Sequence, residues 1–376
     1  MQILRSIILS VAGMALLIAM AGVARGDASV WQPAAAVGAV AFAIGLGAQP
    51  SLRTYQFTAW IVAGFFVAMI YPERLLFLGP IDLRDRRIIL TMMQLVMFAM
   101  GTQMSLRDFA GVVRMPQGVL VGIALQFTVM PLVGFTLARS FDFPPEVAAG
   151  VVLVGSCSSG LASNVMSYIA GANLPLSITL TAVATLLAPL MTPLWMKLLA
   201  SQMIPVDFLG MMMEIVKLVI VPIGAAMLAD YLTHASVRGR RIVFALAAVG
   251  AVVLAAGALG GWSYATAGLS ENAMLFAVTG GYLLGAIVAG VAYYALLRRL
   301  PAVVRIMPFI AMFGIVYVTS VTTAAGRDRL LVIGWLLFAA VVIHNTTGYM
   351  LGYWLSRLCG LDEKSARTVA LEVGLQ

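Results

Sequence analysis

A run of polar and glycine residues interrupts a long hydrophobic segment of this chain. Residues 155–164 read Gly-Ser-Cys-Ser-Ser-Gly-Leu-Ala-Ser-Asn, and valine, leucine and methionine flank them on both sides. Non-helical backbone within a bilayer occurs only where protein covers it or where it lines a wet cavity. The run therefore predicts a transmembrane helix that is broken inside a protein core.

The composition places the whole chain in a membrane. It is 62% hydrophobic and 10% charged, whereas a soluble domain carries about 25% charged residues. Apolar stretches near the ~20 residues that cross a bilayer recur throughout. We predict spans at residues 6–24, 33–49, 55–72, 88–104, 116–138, 145–170 (broken), 175–200, 208–230, 241–260, 272–297, 303–324, 329–355 and 365–376 (incomplete).

Charge and cysteine content exclude several classes of protein. The net charge is +8, but the basic residues lie in short loops rather than in one patch, so we expect no nucleic-acid partner. Cys157 and Cys359 form no disulfide framework and have no metal-ligand spacing. Residues 6–24 fit either a signal peptide or a first span, and we favour the span because a second apolar stretch follows. Without an organelle-type leader, we expect a multi-pass protein of a bacterial inner membrane.

A second interruption lies at residues 371–376, Leu-Glu-Val-Gly-Leu-Gln. It places the Glu372 carboxylate in a membrane context, which by default indicates function. Two interrupted helices at corresponding places in two halves of a membrane protein indicate the binding site of a transporter.

The chain contains a weak internal repeat. Residues 136–155 resemble residues 354–374: each copy has a span, an arginine, a short acidic loop and a broken span. Once the two spans at 241–260 and 272–297 are set aside, an odd number of spans separates the copies. The two halves then have opposite topology in the membrane. We predict extra N-terminal segments at 1–52, the first repeat and start of the second at 53–235, an inserted helix pair at 236–302, and the second repeat, incomplete at its C-terminal end, at 303–376.

Four motifs together resemble the bile acid:sodium symporter family. They are Gln126–Pro131 (Gln-Phe-Thr-Val-Met-Pro), Ala162–Met166 (Ala-Ser-Asn-Val-Met), His344–Tyr349 (His-Asn-Thr-Thr-Gly-Tyr) and Glu372–Gln376 (Glu-Val-Gly-Leu-Gln). The resemblance covers about residues 55–235 and 303–376. It implies an all-α inverted-repeat transporter of ten spans, with a panel domain, a core domain and two broken, crossing helices.

The resemblance also implies two sodium sites. The first comprises Ser163, Asn164, Ser177, Thr181 and Glu372, and the second Gln126, Glu372, Val373, Leu375 and Gln376, with Val373 and Leu375 acting through backbone carbonyls. Residue chemistry agrees, because a hard cation prefers oxygen ligands. Ser177 and Thr181 stand four apart on one helical face, and Glu372 supplies negative charge for which sodium and protons are expected to compete.

Simpler structural roles remain open for these residues. Serine and threonine hydroxyls within a helix often donate to a backbone carbonyl of the same helix, and Ser177 and Thr181 could do so. Gln126 could form a hydrogen bond between neighbouring membrane helices. Glu372, considered by itself, could be a loop residue. His344 fits a proton relay or a hydrogen-bonded packing residue, and we favour packing.

The chain departs from the family at three places. Ser158 and Ser159 stand where many members have proline and glycine. Some members have a hydroxyl residue in place of Leu161, so substrate binding is expected through the backbone of Gly160, Leu161 and Ala162, at the N-terminus of a half-helix. Members also continue beyond the position of Gln376, and we expect this sequence to be a fragment.

We therefore expect a sodium-coupled importer of a small organic anion, a carboxylate or a sulfated sterol-like compound, that works by alternating access. The partners are the transported sodium ion, the anion and the lipid bilayer, and we expect a monomer. The alternatives are a proton-coupled or uncoupled transporter or channel, and a non-transporting sensor or membrane-embedded enzyme. The chain has no P-loop, GxSxG, metalloprotease motif or CxxC, so we predict that it is not an enzyme.

Overall fold

The computed structural model describes residues 2–49, 52 and 55–376, and almost all of them are helical. Within these residues the strands are limited to a short antiparallel hairpin, Phe77–Leu78 paired with Ile81–Asp82. The predicted all-α membrane fold is confirmed. The arrangement into panel and core domains stays a prediction.

Most of the predicted spans correspond to helices, with shifted boundaries such as Ala28–Gly45 for the span at 33–49. The helices are α1 (Gln2–Ala24), α2 (Ala28–Gly45), α3 (Gln56–Ile70), α4 (Pro72–Leu76), α5 (Arg86–Gly101), α6 (Gly111–Arg114), α7 (Pro116–Ser140), α8 (Pro145–Ser156), α9 (Leu161–Ile169), α10 (Leu174–Trp195), α11 (Phe208–Ile215), α12 (Val221–His234), α13 (Val237–Ala256), α14 (Trp262–Thr266), α15 (Glu271–Arg299), α16 (Val303–Leu358) and α17 (Glu363–Gly374). Single π turns at Met196–Ala200, Val216–Ile220 and Gly257–Gly261 continue α10, α11 and α13.

Eight helices of the described residues are long and apolar enough to cross a bilayer. A ninth span results if α5 and the bent segment Leu106–Arg114, which meet at 66°, are counted together. The predicted span at 55–72 forms the shorter helix α3, because α4 begins at Pro72 after the non-helical residue Tyr71.

The prediction of separate spans at 303–324 and 329–355 differs from the structure, in which both belong to α16. This helix has 56 residues, more than the ~20 residues that cross a bilayer once. Residues 324–331, Ala-Ala-Gly-Arg-Asp-Arg-Leu-Leu, contain no proline and only one glycine. The charged residues 327–329 suggest a loop between two spans. Charged residues do not by themselves end a helix.

The chain divides into two compact units, and the first comprises residues 1–96 and 305–334. In it α1 packs along α2 at two close approaches. A Cβ at Gly45 would lie 2.9 Å from Cα of Leu9, and one at Gly22 would lie 2.8 Å from the backbone nitrogen of Trp31. The connecting turn places Gly26 at φ +69°.

The second unit comprises residues 97–304 and 335–376 and contains both interrupted helices. After α8 the backbone is extended at Cys157 (ψ 163°) and at Gly160 (ψ 178°), and α9 begins at Leu161. A broken helix leaves carbonyl groups without partners. Thr192 of α10 donates to one of them, the Ser156 carbonyl, at 2.7 Å, so protein covers the break as the sequence predicted.

Helix α17 packs against α7, α9 and α10 in the second unit. It ends at Gly374, and Leu375 has left helical geometry at ψ 73°. Two glycines of α16, four residues apart on one face, let α17 approach closely. A Cβ at Gly348 would lie 2.9 Å from Cα of Gly374, and one at Gly352 would lie 3.0 Å from Cα of Ala370.

We predict that Gly348→Ala lowers the free energy of unfolding by about 1–3 kcal/mol, because the added methyl group overpacks this contact. Gly334→Ala is the matched control on the same helix, since a Cβ there meets nothing within 4 Å. Melting temperatures in detergent provide the measurement. Equal melting temperatures for the two variants would contradict the close α16–α17 contact.

Candidate functional site

The centre of the second unit is the buried carboxylate of Glu372, which is 1% exposed. Its Oε1 accepts hydrogen bonds from Ser163 at 2.8 Å and from Ser177 at 2.5 Å. Thr181 lies 3.2 Å from Oε1 and 3.1 Å from Oε2, and Ser159 donates to Oε2. Four hydroxyl groups therefore surround one carboxylate.

Three segments supply these groups. Ser159 lies in the extended break, Ser163 and Asn164 lie in the first turn of α9, and Ser177 and Thr181 lie one turn apart on α10. The Asn164 side-chain oxygen accepts from Ser177 at 2.8 Å and from Thr181 at 3.3 Å. The structure thus brings all members of the first predicted group together.

The hydroxyls of Ser177 and Thr181 bond across to other segments rather than back to their own helix. Thr185, one turn further along α10, shows the alternative, since its hydroxyl donates to the Thr181 carbonyl at 2.7 Å. The difference follows from position, because Ser177 and Thr181 face the end of α17. The simple helix-bonded interpretation is therefore wrong for these two residues.

Every described partner of Glu372 is a neutral oxygen. No lysine, arginine or histidine of the described residues forms an ion pair with it. A buried charge without an opposite charge costs several kcal/mol. Carboxylate, hydroxyl and amide oxygens are the ligands that a hard cation takes at about 2.3–2.6 Å. The cluster therefore has the chemistry to hold such a cation.

The members of the second predicted group lie on α7 and at the end of α17. Fewer hydrogen bonds connect them than connect the first group. Gln126 is fully buried, and neither its amide oxygen nor its amide nitrogen has a hydrogen-bond partner in the described structure. Val373 is fully buried, whereas Leu375 and Gln376 are half-buried. The Gln376 side-chain amide faces two backbone carbonyls. With its nitrogen turned toward them, it donates to the carbonyls of Gly155 and Val154 at 3.0 and 3.1 Å.

The predicted substrate residues begin α9. Gly160 precedes the helix with no side-chain cap, and Ala162 is exposed. The Leu161 backbone is helical, and its side chain lies outside the described residues. The N–H groups of a first helical turn have no partner within the helix, and they favour an anion.

A polar tie fixes α17 against the start of α10. The Asn173 backbone N–H donates to the Thr368 hydroxyl at 2.8 Å, and the Asn173 side chain donates to Ser365 at 3.2 Å. Asp362 caps α17 by accepting from the backbone N–H groups of Lys364 and Ser365. The hydrogen bond from the Ser365 side chain, helped by these N–H groups, lowers the pKa of Asp362, so the cap stays charged.

His344 is 3% exposed, and its Nε2 lies 3.3 Å from the Met130 carbonyl oxygen, as a hydrogen-bonded packing residue does. Ser159 was not predicted to belong to the site. The signal was a hydroxyl residue in a helix break, but the break alone did not show that its side chain faces Glu372.

Known proteins resemble this chain over three quarters of its length or more. A family model described as the Sodium Bile acid symporter family matches residues 90–267. An uncharacterized sodium-dependent transporter of Bacillus subtilis (strain 168) is 30% identical over 282 residues, which are 75% of this chain and 68% of that protein. The chain belongs to the sodium bile acid symporter family. Members of this family are transporters and not enzymes, and the chain is a multi-pass membrane protein.

Two further relatives extend the comparison. A probable chloroplastic sodium/metabolite cotransporter of Arabidopsis thaliana is 28% identical over 85% of this chain and 63% of its own length. The human ileal sodium/bile acid cotransporter is 28% identical over 76% of this chain and 65% of its own length. This chain spans slightly less than two thirds of these two proteins. The family match runs into the predicted insertion at 236–302, whose boundaries stay a prediction.

We predict that Gln126→Met raises the free energy of unfolding in sodium-free buffer by about 1–3 kcal/mol, because it removes two buried polar atoms without partners. Gln117→Met is the control on the same helix. Gln117 donates to the Cys359 carbonyl at 2.8 Å, so its replacement should lower stability slightly. Destabilisation by Gln126→Met in this buffer would show that the Gln126 amide is satisfied.

Proposed function

We propose that this protein is a sodium-coupled symporter that imports a small organic anion by alternating access. The observation that carries the proposal is the buried Glu372 carboxylate among four hydroxyls and an amide oxygen, with no protein cation paired to it in the described structure. Sodium-dependent transport in the relatives supports the same assignment.

The first sodium site would consist of Ser163, Asn164, Ser177, Thr181 and Glu372. The hydroxyls of this group have second acceptors besides Glu372. Ser163 reaches the Gly160 carbonyl at 2.7 Å, and Ser177 and Thr181 both reach the Asn164 side-chain oxygen. Each hydroxyl can therefore turn its proton away from Glu372 and present a lone pair to an incoming cation. Binding of the ion would then need little movement of the backbone.

The second sodium site would use Gln126, Glu372 and Gln376, with the carbonyls of Val373 and Leu375. The support is the amide oxygen of Gln126, which is buried without a hydrogen-bond partner in the described structure and which a bound ion would satisfy as a ligand. Because Glu372 belongs to both groups, occupancy of one site is expected to influence the other. The shared carboxylate would then act as the coupling element.

The anion would bind at the start of α9, through the backbone of Gly160, Leu161 and Ala162. The Ser163 hydroxyl contacts both Glu372 and the Gly160 carbonyl, so it would connect the ion site to the anion site. Sodium that orders Ser163 would also order this end of α9. A carboxylate or a sulfate would meet the free N–H groups there.

We place this activity in a bacterial inner membrane, with the protein as a monomer. Proton coupling, an uncoupled transporter or channel, a sensor and a membrane-embedded enzyme are the alternatives. Transport against a gradient that collapses when sodium is removed separates the symporter from all of them.

The test is the thermal stability of the purified protein in detergent, in sodium or potassium chloride at equal ionic strength. Sodium at about 100 times its Kd should raise the free energy of unfolding by about 2.7 kcal/mol. Asn164→Ala should lose most of this gain, and Glu372→Gln should lose all of it, because the charge is gone while the shape is kept.

The control is Thr185→Ala, which removes a hydroxyl from the same face of α10 that, in the described structure, donates to the Thr181 carbonyl of its own helix. Its response to sodium should equal that of the wild type. A folded wild-type protein that melts at the same temperature in both salts would refute sodium coupling.

A further inference from the structure

Ser159 differs from the other hydroxyl residues around Glu372. It is 3% exposed, and its hydroxyl donates to Oε2 of the carboxylate. Ser163 and Ser177 contact Oε1, Thr181 contacts both carboxylate oxygens, and each of these three hydroxyls has a second acceptor. In the described structure, Glu372 is the one hydrogen-bond partner of the Ser159 hydroxyl.

We propose that Ser159 is a positioning residue that determines the affinity and selectivity of the coupling-ion site. The inference rests on the proposed function. Because Ser159 has no other acceptor, its proton stays on Oε2 when an ion arrives, while the other hydroxyls turn theirs away. Ser159 thereby keeps the carboxylate plane fixed and leaves Oε1 directed at the ion.

A fixed carboxylate affects selectivity as well as affinity. A binding site discriminates between cations of different size through ligand number, cavity size and ligand flexibility. A carboxylate held at one oxygen cannot rotate to suit a larger or smaller ion. Loss of this bond should therefore reduce the difference in affinity between sodium and either lithium or potassium.

The position of Ser159 makes this bond sensitive to the helix break. Ser159 lies in the extended segment between α8 and α9, whereas Glu372 lies on α17. The bond therefore links the two interrupted helices directly. Asn173 and Thr368 link α17 to the segment between α9 and α10, so α17 is held from both ends of α9.

The test measures the concentrations of sodium, lithium and potassium that give half-maximal thermal stabilisation of the full chain in detergent. Ser159→Ala should raise the sodium value about tenfold, since it removes a hydrogen bond to a charged group, and should reduce discrimination between the ions. Ser159→Cys keeps the shape with a weak donor and should change both quantities in the same direction. Ser159→Thr keeps the hydroxyl and should retain sodium selectivity.

Ser156→Ala is the matched control. Ser156 is a fully buried serine near the same break, but its hydroxyl donates to the Val152 carbonyl of its own helix at 2.7 Å. Its sodium affinity and ion selectivity should equal those of the wild type. This control separates an effect on Glu372 from the loss of any buried hydroxyl near the break.

The outcomes distinguish the two proposals. Wild-type sodium affinity and selectivity in both Ser159→Ala and Ser159→Cys, with the sodium response lost in Ser163→Ala, would overturn the role of Ser159 and leave sodium coupling intact. A wild-type protein that does not respond to sodium would refute the proposed function and this inference with it. Weaker and less selective sodium binding in Ser159→Ala and Ser159→Cys, with selectivity retained in Ser159→Thr, would support the positioning role of Ser159.

Discussion

A carboxylate buried in a hydrophobic protein, with only neutral oxygens as neighbours, is the constraint on which the rest of the described site depends. Transfer of an unpaired charge out of water is costly, and hydrogen bonds recover only part of that cost. Glu372 receives hydrogen bonds from four hydroxyls on three segments. The fold of the second unit keeps those segments together, and a cation would complete the balance of charge.

The break after α8 contributes to this site. A residue in extended backbone can direct its side chain where a continuous helix would not, and such backbone occurs within a membrane only where protein covers it or where it lines a wet cavity. The break after α8 places Ser159 and Ser163 beside Glu372, and Thr192 of α10 satisfies a carbonyl that the break leaves free. The glycines of α16 allow α17 to come close enough for its carboxylate to reach the cage.

Much of this arrangement was predictable from sequence. The break at residues 155–164 was clear because polar residues interrupt an apolar run, and spacing placed Ser177 and Thr181 on one face of α10. Ser159 was missed because a residue in extended backbone has no helical period that fixes the direction of its side chain. The continuous helix α16 was missed because the charged residues 327–329 suggest a loop, although nothing in their local geometry ends a helix. The lack of hydrogen-bond partners for the Gln126 amide in the described structure also depends on tertiary packing that no local pattern reveals.

Direct binding of radioactive sodium to the purified protein tests the proposal that Glu372 forms a cation site within the membrane. We predict saturable binding that potassium displaces poorly, with two ions per chain because the carboxylate would serve both proposed ligand groups. The Glu372→Gln protein, folded and monodisperse, should bind none. Saturable sodium binding that is unchanged by this substitution would show that Glu372 is not a ligand, and a wild-type protein with no saturable binding would refute the cation site.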